Sequence, residues 1–100
     1  MKYKYDEFNH NQYEVHQLAL DLIASHSRVL DIGCATGCFA SALAKKKCQV
    51  WGIDKNSEAL KKAGKYCQKT IIRDVDVRAS LPVPKKYFDY VIMLDVIEHL

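Results

Sequence analysis

Arg28-Val29-Leu30-Asp31-Ile32-Gly33-Cys34-Ala35-Thr36-Gly37-Cys38-Phe39-Ala40 decides the fold of this 100-residue chain. Val29, Leu30 and Ile32 are apolar and mostly β-favouring, which suits a buried parallel strand. Asp31 breaks the run near the strand's C-terminal end, where a carboxylate is costly to bury unless something satisfies it. Gly33 and Gly37 let the backbone turn sharply and admit a ligand close to it. Phe39-Ala40-Ser41-Ala42-Leu43-Ala44 follows as an alanine-rich helical pattern. Strand, glycine turn and helix, in that order, make the ligand crevice of open α/β sheets.

Asp31-Ile32-Gly33-Cys34-Ala35-Thr36-Gly37 resembles the first motif of class I S-adenosylmethionine-dependent methyltransferases: an acidic residue, any residue, then Gly-x-Gly-x-Gly. Ala35 stands where the pattern has its middle glycine, a replacement that matters only if that position needs a positive φ. The resemblance implies a parallel sheet with helices on both faces, a Rossmann-like α/β/α sandwich. It implies S-adenosyl-L-methionine as the cofactor, with Asp31 holding the cationic amino-acid end. Gly33, Cys34, Ala35 and Gly37 would form the turn against that end, with Cys34 contributing through its backbone.

Downstream, Gln49-Val50-Trp51-Gly52-Ile53 reads as a second strand ending at Asp54, 21 positions after Gly33. An acidic residue at that distance is placed to hydrogen-bond ribose hydroxyls, for NAD and S-adenosylmethionine alike. Taken alone, Asp54 could be a surface residue capping the next helix; beside the glycine turn the ribose role is the favoured reading. Asn56-Ser57 offers cap oxygens, and Ser57 to Tyr66 reads as a helix with Leu60 and Ala63 inward and Lys61, Lys62 and Lys65 in water. A short third strand, Thr70 to Arg73, ends in Asp74-Val75-Asp76. The resemblance assigns the adenine to Asp74 and the backbone N–H of Val75, with Asp76 a weaker candidate; a polar loop start is the plainer reading. Pro82 and Pro84 mark a loop. Phe88 to Leu94 is nearly all apolar, as a central parallel strand should be, and leads into Asp95-Val96-Ile97-Glu98-His99-Leu100. In the family, this strand end lies beside the methyl donor and the acceptor. Leu94 would border the donor, Asp95 and His99 the acceptor. A base or metal role for Glu98 and His99 competes with a structural one, and no metal is assigned.

Upstream, residues 1–11 are polar and aromatic without a period, and Tyr3, Tyr5 and Phe8 could pack on the domain or cover a ligand. A helix is expected from Gln12, with Val15, Leu18 and Leu22 facing the sheet. His10, His16 and His26 are scattered, against a metal cluster. The net charge of +3 is spread along the chain, and Lys45-Lys46-Lys47 reads as cations favoured at a helix C-terminus rather than a nucleic-acid patch, since no aromatics interleave it. Cys34, Cys38, Cys48 and Cys67 lack paired C-x-x-C spacings and read as reduced, mostly buried side chains. No run reaches signal-peptide or membrane-spanning length, so a cytoplasmic setting is expected.

These readings combine into one α/β domain over residues 1–100 with strand order 3-2-1-4. The family sheet has seven strands in the order 3-2-1-4-5-7-6, so the expectation is a C-terminally truncated methyltransferase domain. The fourth strand then forms an apolar edge that a partner chain or a missing half would cover. Its acceptor is expected to be a small molecule. A nicotinamide-dependent oxidoreductase fits less well. Gly-x-Gly-x-x-Gly would put a small residue at Cys38, and a pyrophosphate disfavours a carboxylate such as Asp31 beside the turn. A non-catalytic remnant of the fold is the third reading.

Overall fold

The computed structural model describes residues 14–74, 82–84 and 86–93. Residues 14–22 form helix α1. Then follow strand β1 (Arg28–Ile32), helix α2 (Cys38–Lys45), strand β2 (Gln49–Asp54), helix α3 (Ser57–Ala63), strand β3 (Lys69–Ile72) and strand β4 (Tyr90–Ile92). The four strands make one sheet in the order β3-β2-β1-β4, with every neighbouring pair parallel. This is the strand order expected from the sequence.

Handedness explains which face each connection takes. The β1–α2–β2 and β2–α3–β3 units step the same way across the sheet, so right-handed crossovers place α2 and α3 on one face. Between β3 and β4 the step across the sheet reverses, and the described residues Val83 and Phe88 pack on the other face with Leu30, Ile32 and Ile53. At the start of that face Trp51, Tyr87 and Phe88 meet at centroid distances of 4.9–5.3 Å. Arg28 lies over Tyr87 and Lys69 over Trp51. Among the described residues, no helix packs on this second face.

On the helical face Val29 and Val50 are sealed by Phe39, Ala40 and Leu43 of α2 and by Ile23, just beyond α1. Full burial of such aliphatic side chains contributes about 1.5–3 kcal/mol each. The inward residues of α1 are Ala19 and Leu20, whereas Val15, Leu18 and Leu22 are 50%, 65% and 78% exposed. The expected inward stripe is therefore displaced. α1 is apolar over much of its circumference, so periodicity alone does not select the buried side. The fastening at its end does. Lys46 donates from Nζ to the Leu20 carbonyl at 2.6 Å and to the Ile23 carbonyl. The Tyr90 hydroxyl donates to the Leu22 carbonyl and accepts from the Ala24 N–H. Lys46 thus satisfies carbonyls that a helix end leaves open, on a helix other than its own.

Helix α3 starts where expected, with Asn56 Oδ1 accepting from the Ala59 N–H at 3.1 Å. It stops at Ala63, short of the expected Tyr66, as Gly64 follows. Strand β4 is shorter than the apolar run Phe88–Leu94 and is an edge among the described residues, with Val91 57% exposed. Of the four cysteines, Cys34 and Cys48 are buried, Cys67 is half-buried and Cys38 is exposed. The expectation of burial fails for Cys38 because it is the first residue of α2 and its side chain lies on the outer side of that helix. All four are free thiols.

Candidate cofactor site

The turn after β1 is held by the end of β2. Gly33 and Cys34 donate their N–H groups to the Ile53 carbonyl at 2.7 and 3.1 Å, and Ala35 donates to Oδ2 of Asp54 at 2.8 Å. Three successive N–H groups are thereby committed to one strand end. Gly37 closes the turn with its N–H on the Cys34 carbonyl at 3.0 Å, and its own carbonyl accepts from Ser41 in α2. Gly33, Ala35 and Gly37 have φ of 76°, 49° and 87°. Position 35 therefore has the positive φ at which a missing glycine matters, and Ala35 occupies a left-handed conformation that disfavours side chains.

Gly37 is required for closeness as well as conformation. A Cβ there would sit 2.9 Å from Ala63 Cα, so α3 rests directly on the turn. Asp54 stands at the head of β2, half-buried, with Oδ1 accepting from the Asn56 N–H at 3.0 Å. It thus ties the turn to the entry of α3, although the residue that caps that helix is Asn56.

Asp31 lies under the turn and is 3% exposed. It pairs in register with Gly52 of β2 and Ile92 of β4. Gly52 and Cys67 stand outside the expected set of site residues, and the structure brings both beneath the turn. A Cβ on Gly52 would lie 2.7 Å from Cys34 Sγ and 3.1 Å from Cys67 Sγ, so two sulfurs fill the space that a side chain would take. A glycine inside an apolar strand marks such a close approach, and that signal is present in Gln49-Val50-Trp51-Gly52-Ile53. Burial, then the Asp31 carboxylate, pushes the Cys34 thiol up to about 12. The same two causes push Cys67 up to about 11. Both are neutral thiols at neutral pH.

Asp74 follows β3 and is exposed, near the same strand ends, since Arg73 donates its N–H to the Asp54 carbonyl. Val75, Asp76, Leu94, Asp95, Glu98 and His99 lie outside the described residues, as do Tyr3, Tyr5 and Phe8. A hollow of about 390 Å³ is lined by Thr36 of the turn, Cys38 and Ser41 of α2, Lys62 of α3, and Lys65 and Tyr66 just after it. Among the described residues no group of three or more His, Cys, Asp or Glu is placed to hold a metal, and no helix is long and apolar enough to cross a membrane.

Comparison with known proteins fits this geometry. Residues 3–100 match the profile of a family described as a methyltransferase domain. The ubiquinone biosynthesis O-methyltransferase of Nitrosospira multiformis is 31% identical over 97 residues, covering 88% of this chain and 41% of that protein. That of Psychrobacter arcticus is 29% identical over 91 residues, covering 85% and 35%. The chain thus spans about two-fifths or less of the length of these relatives. Among solved structures, a SAM-dependent methyltransferase from Methanosarcina mazei superimposes with a TM-score of 0.60 at 27% identity, covering 76% of this chain and 40% of that one. Sheet order, glycine turn and a profile that spans nearly the whole sequence agree: the chain belongs to the methyltransferase-domain family.

Proposed function

We propose that this chain is the cofactor-binding half of an S-adenosyl-L-methionine-dependent methyltransferase acting on a small molecule. The observation that carries the reading is the use of the turn's N–H groups. A pyrophosphate is gripped by free N–H groups at a helix-opening turn. Here the N–H groups of Gly33, Cys34 and Ala35 are bonded to β2, and carboxylates flank the turn on two sides: Asp31 below and Asp54 beside it. Such a site suits hydroxyls and a cation better than a dinucleotide's phosphates.

The residues fit the cofactor. Each Asp54 oxygen accepts one backbone N–H and retains a further lone pair for a ribose hydroxyl. Asp31 supplies negative charge toward the cationic amino-acid end, and the outer backbone of Gly33 to Gly37 lets that end come close. Asp74 and Val75 would take the adenine, and Leu94 would border the donor. When bound, the cofactor would supply a methyl group activated on a sulfonium, which passes to the acceptor atom as its bond to sulfur breaks and the neutral thioether leaves. The chain's own contribution is therefore proximity and alignment. Asp95 and His99 are the candidates to border the acceptor, and a base there matters only for an acceptor that must lose a proton.

The name shared by the curated relatives supports a hydroxyl-bearing small acceptor. The β4 edge, unpaired among the described residues and with Val91 exposed, supports completion of the sheet by further strands, on the same polypeptide or a partner chain. The free thiols fit a cytoplasmic setting.

Calorimetric titration with S-adenosylhomocysteine, with NAD as control, tests the reading. Binding of the former alone, lost on Asp54→Ala, is expected. Binding of NAD instead would replace the reading with an oxidoreductase. A cooperative melt with neither ligand bound would leave a non-binding remnant of the fold.

A further inference from the structure

We propose that Asp54 is a positioning residue for the glycine turn, holding Ala35 in its left-handed conformation, in addition to the ribose contact assigned above; the ligand arm of the test rests on that assignment. Ala35 has φ 49° and is the only non-glycine of the three left-handed positions in the turn. An alanine there prefers negative φ by a factor of about ten. Something must hold it. Its N–H meets Asp54 Oδ2 at 2.8 Å, a charge-assisted hydrogen bond. The carboxylate is itself oriented by the Asn56 N–H on Oδ1. Gly33 and Cys34, on the N-terminal side, are held separately by the Ile53 carbonyl. The clamp therefore acts on one peptide group, at the position where this chain carries a side chain in place of the motif's glycine.

Ligand and turn consequently meet on one carboxylate. A carboxylate accepts at both oxygens, whereas an asparagine accepts at one and presents donors at the other. Asp54→Asn keeps the shape and loses one of the two backbone contacts. A glycine at position 35 removes the left-handed penalty and so removes the need for the clamp.

The test is a cycle of Asp54→Asn, Ala35→Gly and the double variant, read in two ways on the 100-residue chain. Amide hydrogen exchange without ligand is expected to be about tenfold faster at position 35 in Asp54→Asn, with Gly33 and Cys34 less affected. Asp54→Asn is also expected to weaken binding of S-adenosylhomocysteine. Adding Ala35→Gly should recover about fivefold to tenfold of that loss, counted over and above whatever change Ala35→Gly makes in the parent. A residue that touched only the ligand would show no recovery, and that result, or unchanged exchange at Ala35, overturns the proposal. The melting temperature supplies the same cycle without ligand: Ala35→Gly must raise that of Asp54→Asn by more than it raises the parent's. If the parent chain binds no S-adenosylhomocysteine, the functional reading fails while the exchange and melting arms still decide the clamp.

Discussion

Replacing Gly37 by alanine should destabilise the chain by about 2–5 kcal/mol, and the figure follows from two independent effects. Gly37 has φ 87°, where a Cβ costs about 1–2 kcal/mol. The added methyl would also lie 2.9 Å from Ala63 Cα and 3.0 Å from Ala63 Cβ. Neither atom can swing aside, so α3 must be pushed off the turn, an overpacking that costs about 1–3 kcal/mol. Small domains hold only about 5–15 kcal/mol in total, so the loss is a large share. Urea unfolding followed by circular dichroism measures it. Gly64→Ala is the internal control. Gly64 has φ −57°, and its nearest neighbour would be the Lys61 carbonyl at 3.5 Å, an ordinary contact. That substitution should be neutral or stabilising by up to about 1 kcal/mol. If Gly37→Ala fell within about 0.5 kcal/mol of the parent, or matched Gly64→Ala, the contact between α3 and the turn would not exist as described.

Lys46→Met should remove the fastening of α1, costing about 1.5–3 kcal/mol, and lower the melting temperature by several degrees, whereas exposed Lys45→Met should leave it unchanged. In the native chain iodoacetamide should modify Cys38 first, with Cys34 and Cys48 reacting only on unfolding; mass spectrometry of digested peptides reads the order. Alkaline pH should destabilise the fold. Cys34 and Cys67 titrate near 12 and 11 when folded but near 9.0 when unfolded, so the folded state binds more protons between those values. The contribution of these two thiols should be constant well below pH 9 and should be lost as pH rises from about 9 toward 11. Cys34→Ser/Cys67→Ser should flatten that slope in pH-dependent urea melts.

The strand ends were legible in the sequence because apolar runs ending in aspartate are local signals. Asp31, Asp54 and Asp74 stand one residue before, at and two residues after the ends of their strands. So was Asn56 as a helix cap, since its bond to Ala59 spans only three residues. What the sequence left hidden depends on packing between elements distant in the chain. Which side of α1 is buried is settled by Lys46 and Tyr90, 23 to 68 residues away from their carbonyl partners there. The positive φ of Ala35 depends on an aspartate 19 positions later. The pairing of Cys34 with Cys67 over Gly52 needs β1, β2 and the end of α3 to be assembled at once.

The anchoring of the turn on β2 also sets an order of events during folding. Gly33, Cys34 and Ala35 have no partners for these N–H groups until Ile53 and Asp54 arrive, so the turn cannot take its final shape in a chain that has formed only β1 and α2. During synthesis from the N-terminus, the ribosome must release about twenty further residues after the motif before the site can exist. A ligand that recognises the turn would therefore bind no earlier intermediate, and its capture during refolding would time the moment at which β2 docks on β1.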